Sequence, residues 1–467
     1  MEAINDFLLP IVATINKYLA DYILIFLLIG VGLFYTIRTR FVQVRCFGEG
    51  MKKVFGKISL RGGKQKSGLS SFQALATAIA AQVGTGNIVG ACGAILIGGP
   101  GAIFWMWVIA FFGMATIYAE AVLAQETRVK GEDGSVLGGP VYYIKKAFKG
   151  GFGKFLAVFF SVAAILALGF MGSMVQSNSI ANAINSAVPA IPAWAVGLVL
   201  AALCAFIFLG GVQRIASVAE KIVPLMAVIY LIVGLVVLGI NITAIPATFG
   251  AIFKYAFVPQ AIIGGTFGAA IKAAISQGAK RGLFSNEAGM GSTPHAHAQA
   301  NVEKPHDQGV VAMIGVFIDT FVVLTITALV VISTLYVKDG VIIDGLTKNN
   351  LMQAALGRAF GSMTLGNVIV AVCLTFFAFT TIISWNFFGK QNVQSLSGKK
   401  QKIASIIYSV VAIAFIFLGS VFSSDLVWEL TDAFNYLMVI PNAIALVALS
   451  GMVVGAVKAK NSKNELK

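Results

Sequence analysis

Between Lys66 and Glu120 the chain carries no charged residue, and most of that run is apolar. A helix of ~20 apolar residues crosses the hydrocarbon core of a bilayer, and little else can hold such a run. In its middle stands Gly84-Thr85-Gly86-Asn87-Ile88-Val89-Gly90, where a continuous helix would otherwise be expected. Glycine costs ~1 kcal/mol relative to Ala inside a helix, so three of them beside two polar side chains predict a break. A break at membrane depth frees backbone groups that only protein or a polar cavity can satisfy. It therefore marks a candidate binding site.

The rest of the composition agrees. Of 467 residues 58% are hydrophobic and 11% charged, with a mean hydropathy of +0.87, against roughly 25% charged in soluble domains. The chain reads as an all-α polytopic membrane protein. Its net charge of +15 could suit nucleic acid, but the basic residues fall between apolar runs and form no stripe with interleaved aromatics. No nucleic-acid partner is expected. Cys46, Cys92, Cys204 and Cys373 are scattered and imply neither a disulfide framework nor a metal cluster. No cleavable signal peptide is expected, since the first apolar run lacks a basic start and a small-residue cleavage site.

Apolar runs predict eleven transmembrane helices near residues 18 to 37, 69 to 98, 102 to 127, 154 to 187, 192 to 211, 216 to 240, 258 to 281, 309 to 336, 362 to 389, 401 to 421 and 425 to 457. Residues 1 to 17 read as a short amphipathic lead-in. Residues 140 to 149 and 244 to 255 read as interfacial helices, and 341 to 360 as an external hairpin-like segment. Of 34 basic residues, all but Lys17, Lys254, Lys338, Lys348 and Arg358 fall in connections on one side. The positive-inside rule makes that side cytoplasmic, with the C-terminus inside and the N-terminus outside.

Setting the first helix aside leaves five helices in residues 69 to 240 and five in 258 to 457. They are preceded by 1 to 68, joined by an external connection at 241 to 257 and followed by a basic tail at 458 to 467. An odd number of helices per half forces the halves into opposite orientations. The first helix of each half carries a glycine interruption, Gly84 to Gly90 and Gly264 to Gly268. Paired breaks in inverted halves point to a substrate site at the membrane midplane.

A broken helix offers free N–H groups to an anion and free carbonyls to a cation. Amides near Gly84, Thr85 and Gly86 suit a carboxylate, carbonyls near Ala80 and Val83 face a cation, and Asn87 can donate or accept. In the second break Phe267 would form a lid over a small apolar side chain, with Ile271 and Ala274 on the same face below it. Thr380 and Thr381 present two hydroxyls of the kind hard cations take. The alternative is that both bond back to the preceding turn. Trp385 lies one turn beyond Thr381. Glu120 and Asp319 are the intramembrane acids, each a candidate for transport or for a structural anchor. Arg281 to Gly291, rich in glycine and polar residues, reads as a structured loop. His295, His297 and His306 lack metal-ligand spacing and read as surface residues. Gly84-Thr85-Gly86 opens like a dinucleotide fingerprint, but no strand precedes it. No nucleophile, base and orienting group can be assembled, so an enzyme is not expected.

The runs GTGNIVG (84 to 90), GGPGAIFWMW (98 to 107), KRGLFSNEAGMGS (280 to 292) and GVFIDT (315 to 320) resemble those of the alanine or glycine:cation symporter family, in the amino acid-polyamine-organocation superfamily. The resemblance runs over nearly the whole chain. It implies the 5+5 inverted-repeat fold shared with bacterial leucine transporters plus one N-terminal helix, and sodium-driven uptake of alanine or glycine in an inner membrane. It also implies a monomer without cofactors. Carried over by position, it puts substrate among Thr85, Gly86, Asn87, Phe267, Ile271, Thr381 and Trp385. Sodium falls on carbonyls of Ala80, Val83 and Phe377 with hydroxyls of Thr380 and Thr381. Proton coupling through Asp319 or Glu120 is the alternative.

Overall fold

The computed structural model describes residues 2–56, 68–131, 135–258, 267–336, 345–422 and 425–461. Among them, seven helices are long and apolar enough to cross a membrane, or eight when the bent pair around Gly84 counts as one span. Residues 1 to 17 are more than a lead-in. Glu2–Tyr18 passes through a π-helical turn, Leu19–Leu24, into Ile25–Arg38 without a break.

Helix α1, Ser71–Gln82, starts at a capping box in which Ser70 and Gln73 satisfy each other's backbone N–H at 3.1 Å. It ends at Val83, whose ψ of 88° turns the chain out of the helix. A π-helical turn, Gly86–Gly90, then leads into α2, Ala91–Gly98, and the two segments are bent by 46°. Helix α3 (Gly101–Thr127) follows. The next long rod runs from Gly150–Ala164 through a π-helical stretch into α4 (Gly172–Ala187), and is succeeded by α5 (Ala193–Leu209) and α6 (Gly211–Ile240).

The second half departs from expectation. Gly264 to Thr266 lie outside the described residues, and from Phe267 to Asn286 the chain forms one helix, α7, in which Gly268 is an ordinary turn. Helical geometry is lost instead at residues 287–293, before a single turn, Pro294–His297. Glu287 there has φ 58°, and Gly289 and Gly291 have φ 89° and 82°. A side chain larger than Asn rarely sits in that region, so Glu287 is held in place by its partners. Helix α8 (Pro305–Val316) continues through a π-helical stretch, Phe317–Leu324, into Thr325–Leu335. Helices α9 (Met363–Ser397) and α10 (Gln401–Val421) form a hairpin at Gly398, with Tyr408 donating back to the Asn386 carbonyl at 3.2 Å. Helix α11 (Asp425–Ala448) and a separate Ser450–Asn461 replace the single expected segment 425 to 457.

Lys272, Lys280 and Arg281, expected on the basic side, lie on α7, and Arg281 shares the Trp428 ring with Lys348, which was expected on the other side.

Without a hydrophobic drive between helices in lipid, packing here depends on small residues that let backbones and large rings approach. A Cβ on Gly101 would lie 2.1 Å from the Tyr255 carbonyl, and one on Gly172 would lie 2.3 Å from the Trp385 ring.

Candidate functional site

The first unwound segment packs on the last turn of α7, just ahead of the second. A Cβ on Gly86 would fall 3.0 Å from the Ser285 Cα and 3.1 Å from the Phe284 ring, so a larger residue would crowd this approach. Gln82 at the end of α1 donates to the Asn286 carbonyl at 2.7 Å. Asn87 closes its own turn by accepting from Gly84 N–H at 3.0 Å, and its Nδ2 donates to Asp319 Oδ1 at 2.6 Å. Asp319 also accepts from Ser285 Oγ at 2.9 Å and Thr320 Oγ1 at 2.8 Å. Three neutral donors thus converge on one fully buried carboxylate. Both Asn87 and Asp319 lie on π-helical stretches, a common mark of functional positions.

The amide edge of the first break is only partly engaged. Thr85 N–H donates to the Gln176 side-chain oxygen at 3.2 Å, while the buried Thr85 hydroxyl has no partner among the described residues. Above it Phe284 packs edge-on against Trp385, with ring centroids 5.8 Å apart. Trp385 donates its indole N–H to Glu287, which also accepts from Ser292. Gly289 N–H donates to Glu120 at 3.1 Å, and Asn442 donates to Glu120 at 2.6 Å and to the Gly289 carbonyl at 2.9 Å. Glu120 therefore anchors the second unwound segment. Glu287 is a third fully buried acid, unrecognised in the sequence because its helix was ended too early. None of Glu120, Glu287 and Asp319 pairs with a basic side chain among the described residues.

On the other edge Thr381 Oγ1 reaches the Ala80 carbonyl at 3.0 Å and the Ala81 carbonyl at 3.3 Å, as well as the Phe377 carbonyl at 3.0 Å. Thr380 bonds the Phe376 and Phe377 carbonyls at 3.0 and 2.9 Å. Both threonines do bond back to the preceding turn, and Thr381 in addition bridges α9 to the end of α1. The result is a cluster of buried neutral oxygens, a ligand set suited to a hard cation.

On one side of this cluster, Arg281 and Asp432 form an ion pair at 3.1 Å. Trp428 stacks on it and on Phe284, whose ring centroid is 5.4 Å away. Toward the opposite side, Leu69 exchanges backbone hydrogen bonds with Gln299 and Asn301 at 2.8 Å, tying the entry of α1 to the chain beyond the second break. His295, His297 and His306 are not on the surface. They are 1 to 2% exposed, and His295 bonds Asn392 while His306 bonds Tyr118.

Of the residues chosen from sequence, Thr85, Gly86, Asn87, Thr380, Thr381, Trp385, Phe377 and Ala80 come together, and Val83 ends α1 beside them. The Phe267 side chain lies outside the described residues. Ile271 is half-buried, and Ala274 packs against Gly98 at the far end of α2, ~18 Å from Gly86 at 1.5 Å per residue. Phe284 and Ser285, with Gln176 from α4, are the residues that stand beside Gly86 and Thr85. Gln176 lies in a run that also carries Ser173, Ser177, Asn178 and Ser179, so nothing in the sequence singled it out.

A helix break packed on a second helix just ahead of its own break, at a buried point flanked by oxygen clusters, is the arrangement found at the binding sites of secondary transporters. A sodium-coupled sialic acid symporter solved in a substrate-bound outward-open state shares the fold, with a TM-score of 0.53 at 12% identity over 87% of this chain and 82% of that one. The family model for the sodium:alanine symporter family matches residues 5–467, and the chain belongs to that family. It is 42% identical over 461 residues to the sodium/alanine symporter AgcS of Methanococcus maripaludis, covering 98% of each chain. It is 39% identical over 430 residues to the amino-acid carrier protein AlsT of Bacillus subtilis, covering 92% of this chain and 87% of that one.

Proposed function

We propose that this protein takes up alanine or glycine together with sodium by alternating access across a cell inner membrane. The observation that carries the reading is the packing of the first unwound turn, at Gly86, on the last turn of α7, at Ser285, with Thr381 bridging to the Ala80 carbonyl. The substrate carboxylate would take the amide edge at Gly84 and Thr85, displacing Gln176 from the Thr85 N–H. Phe284 and Trp385 would enclose its short side chain. Sodium would sit among the carbonyls of Ala80, Val83 and Phe377 and the hydroxyls of Thr380 and Thr381. The eleven spans would divide into inverted halves, 69 to 240 and 258 to 457, in a monomer with its N-terminus outside. The Arg281 to Asp432 pair would close the outer path.

Proteoliposomes should accumulate labelled alanine or glycine under an inward sodium gradient, and accumulation should vanish when potassium replaces sodium. Full-rate uptake driven by a proton gradient alone would overturn sodium coupling. That second reading is favoured by one observation, the buried Asp319 carboxylate that no basic side chain among the described residues neutralises.

Selectivity tests the wall. Phe284→Ala should raise uptake of larger aliphatic amino acids relative to alanine by ~10-fold or more, the scale of one or two methylenes in an apolar pocket. Ile271→Ala should leave the ratio unchanged. A shift in the second variant and not the first would place the wall back on the outer part of α7.

A further inference from the structure

Away from the breaks, the C-terminal ends of α5 and α9 and the start of α10 enclose a cavity of about 620 Å³, within the ~300–1,000 Å³ of small-molecule sites. Three lysines line it, Lys390 from α9, Lys399 from the turn and Lys402 from α10, and no Asp or Glu does. None of the three makes an ion pair among the described residues. Lys390 is half-buried, so its charge is held partly out of water with nothing opposite it.

The remaining wall is apolar and opens sideways. Leu209 is 87% exposed, and Ile406 and Val410 are 57% and 62% exposed, which in a membrane protein means contact with acyl chains. Between the lysines and that wall stands Ser405, 6% exposed, whose hydroxyl has no hydrogen-bond partner among the described residues. A serine in a helix ordinarily bonds the carbonyl four residues back, so a buried hydroxyl left unbonded while lining a cavity calls for a ligand acceptor.

We propose that this cavity binds an anionic phospholipid from the leaflet at that face, with its phosphate held by Lys390, Lys399, Lys402 and the Ser405 hydroxyl. Its acyl chains lie along Leu209, Ile406 and Val410. Cationic pockets between helices at the membrane boundary take such headgroups because desolvated ammonium groups gain a multivalent acceptor there. The same cationic floor without the apolar opening would suit a soluble phosphate; the opening decides for lipid. The inference is independent of the transported amino acid.

The test is native mass spectrometry of the full-length protein, delipidated in detergent and titrated with phosphatidylglycerol or phosphatidylethanolamine. The wild type should bind phosphatidylglycerol at least ~10-fold more tightly, one protonic charge pair being worth about that much when half-buried. Lys390→Gln/Lys399→Gln/Lys402→Gln should lose the preference, while Lys145→Gln/Lys146→Gln, at two exposed lysines on a helix elsewhere, should keep it. Ser405→Phe, which fills the cavity floor without removing a charge, should lose it too and decides the matter if the triple variant does not fold. A preference retained in both cavity variants would overturn the proposal. Displacement of the lipid by millimolar inorganic phosphate would also overturn it, in favour of a soluble anion.

Discussion

Gly84→Ala should abolish sodium-driven amino-acid uptake, lowering it by ~100-fold or more, the loss expected when binding groups move by about 1 Å. The new Cβ would lie 2.4 Å from Thr381 Oγ1 and 3.3 Å from Gln176 Oε1. It must push Thr381 off the Ala80 and Ala81 carbonyls and Gln176 off the Thr85 amide. One methyl group thus disturbs the proposed cation edge and carboxylate edge together. Uptake in proteoliposomes and equilibrium binding of alanine with and without sodium should fail in parallel. Uptake within threefold of wild type would show that Gly84 is a packing notch and that the site lies elsewhere.

Asp319→Ala should be nearly as severe and should also destabilise the protein. It strands Asn87 Nδ2, Ser285 Oγ and Thr320 Oγ1, each of which now donates to the carboxylate. An unsatisfied buried donor costs about 1–3 kcal/mol, so a fall in thermal stability measured in detergent should accompany the loss of transport. Asp319→Asn separates charge from shape. If a sodium ion depends on the negative charge beside Asn87, the isosteric variant should need far more sodium for half-maximal uptake and lose rate by ~100-fold, the usual weight of a buried charge. If the variant loses only its pH dependence and sodium proves irrelevant, the proton-coupled reading replaces the sodium one.

The first break was legible because glycine and two polar side chains interrupt an apolar run, a local conflict that no helix resolves. Of the second expected break, Gly264 and Gly265 lie outside the described residues and Gly268 is helical, while the described chain also unwinds at Glu287, Gly289 and Gly291, in a segment whose charges and polar groups look like a loop at the membrane surface. What keeps that segment buried is pairing. Glu120, Asn442, Ser292 and Trp385 satisfy it, and all but Ser292 come from spans far away in sequence. His295 and His306 were misread on the same ground, since their partners Asn392 and Tyr118 are remote. The Thr380 and Thr381 pair was visible, but local back-bonding and service to a cation could not be told apart until α9 was seen to reach Ala80.

The sequence by itself determined that this chain spans a membrane many times, that one helix must break at Gly84, and to which family it belongs. Those properties follow from side-chain hydropathy, from backbone cost and from long motifs, all of which are local. Only the tertiary structure decided where the second helix unwinds and that Phe284, Ser285 and Gln176, rather than Ile271 and Ala274, stand beside Gly86. A buried polar backbone is stable wherever remote side chains complete its hydrogen bonds, and which ones do so is a property of the packed chain.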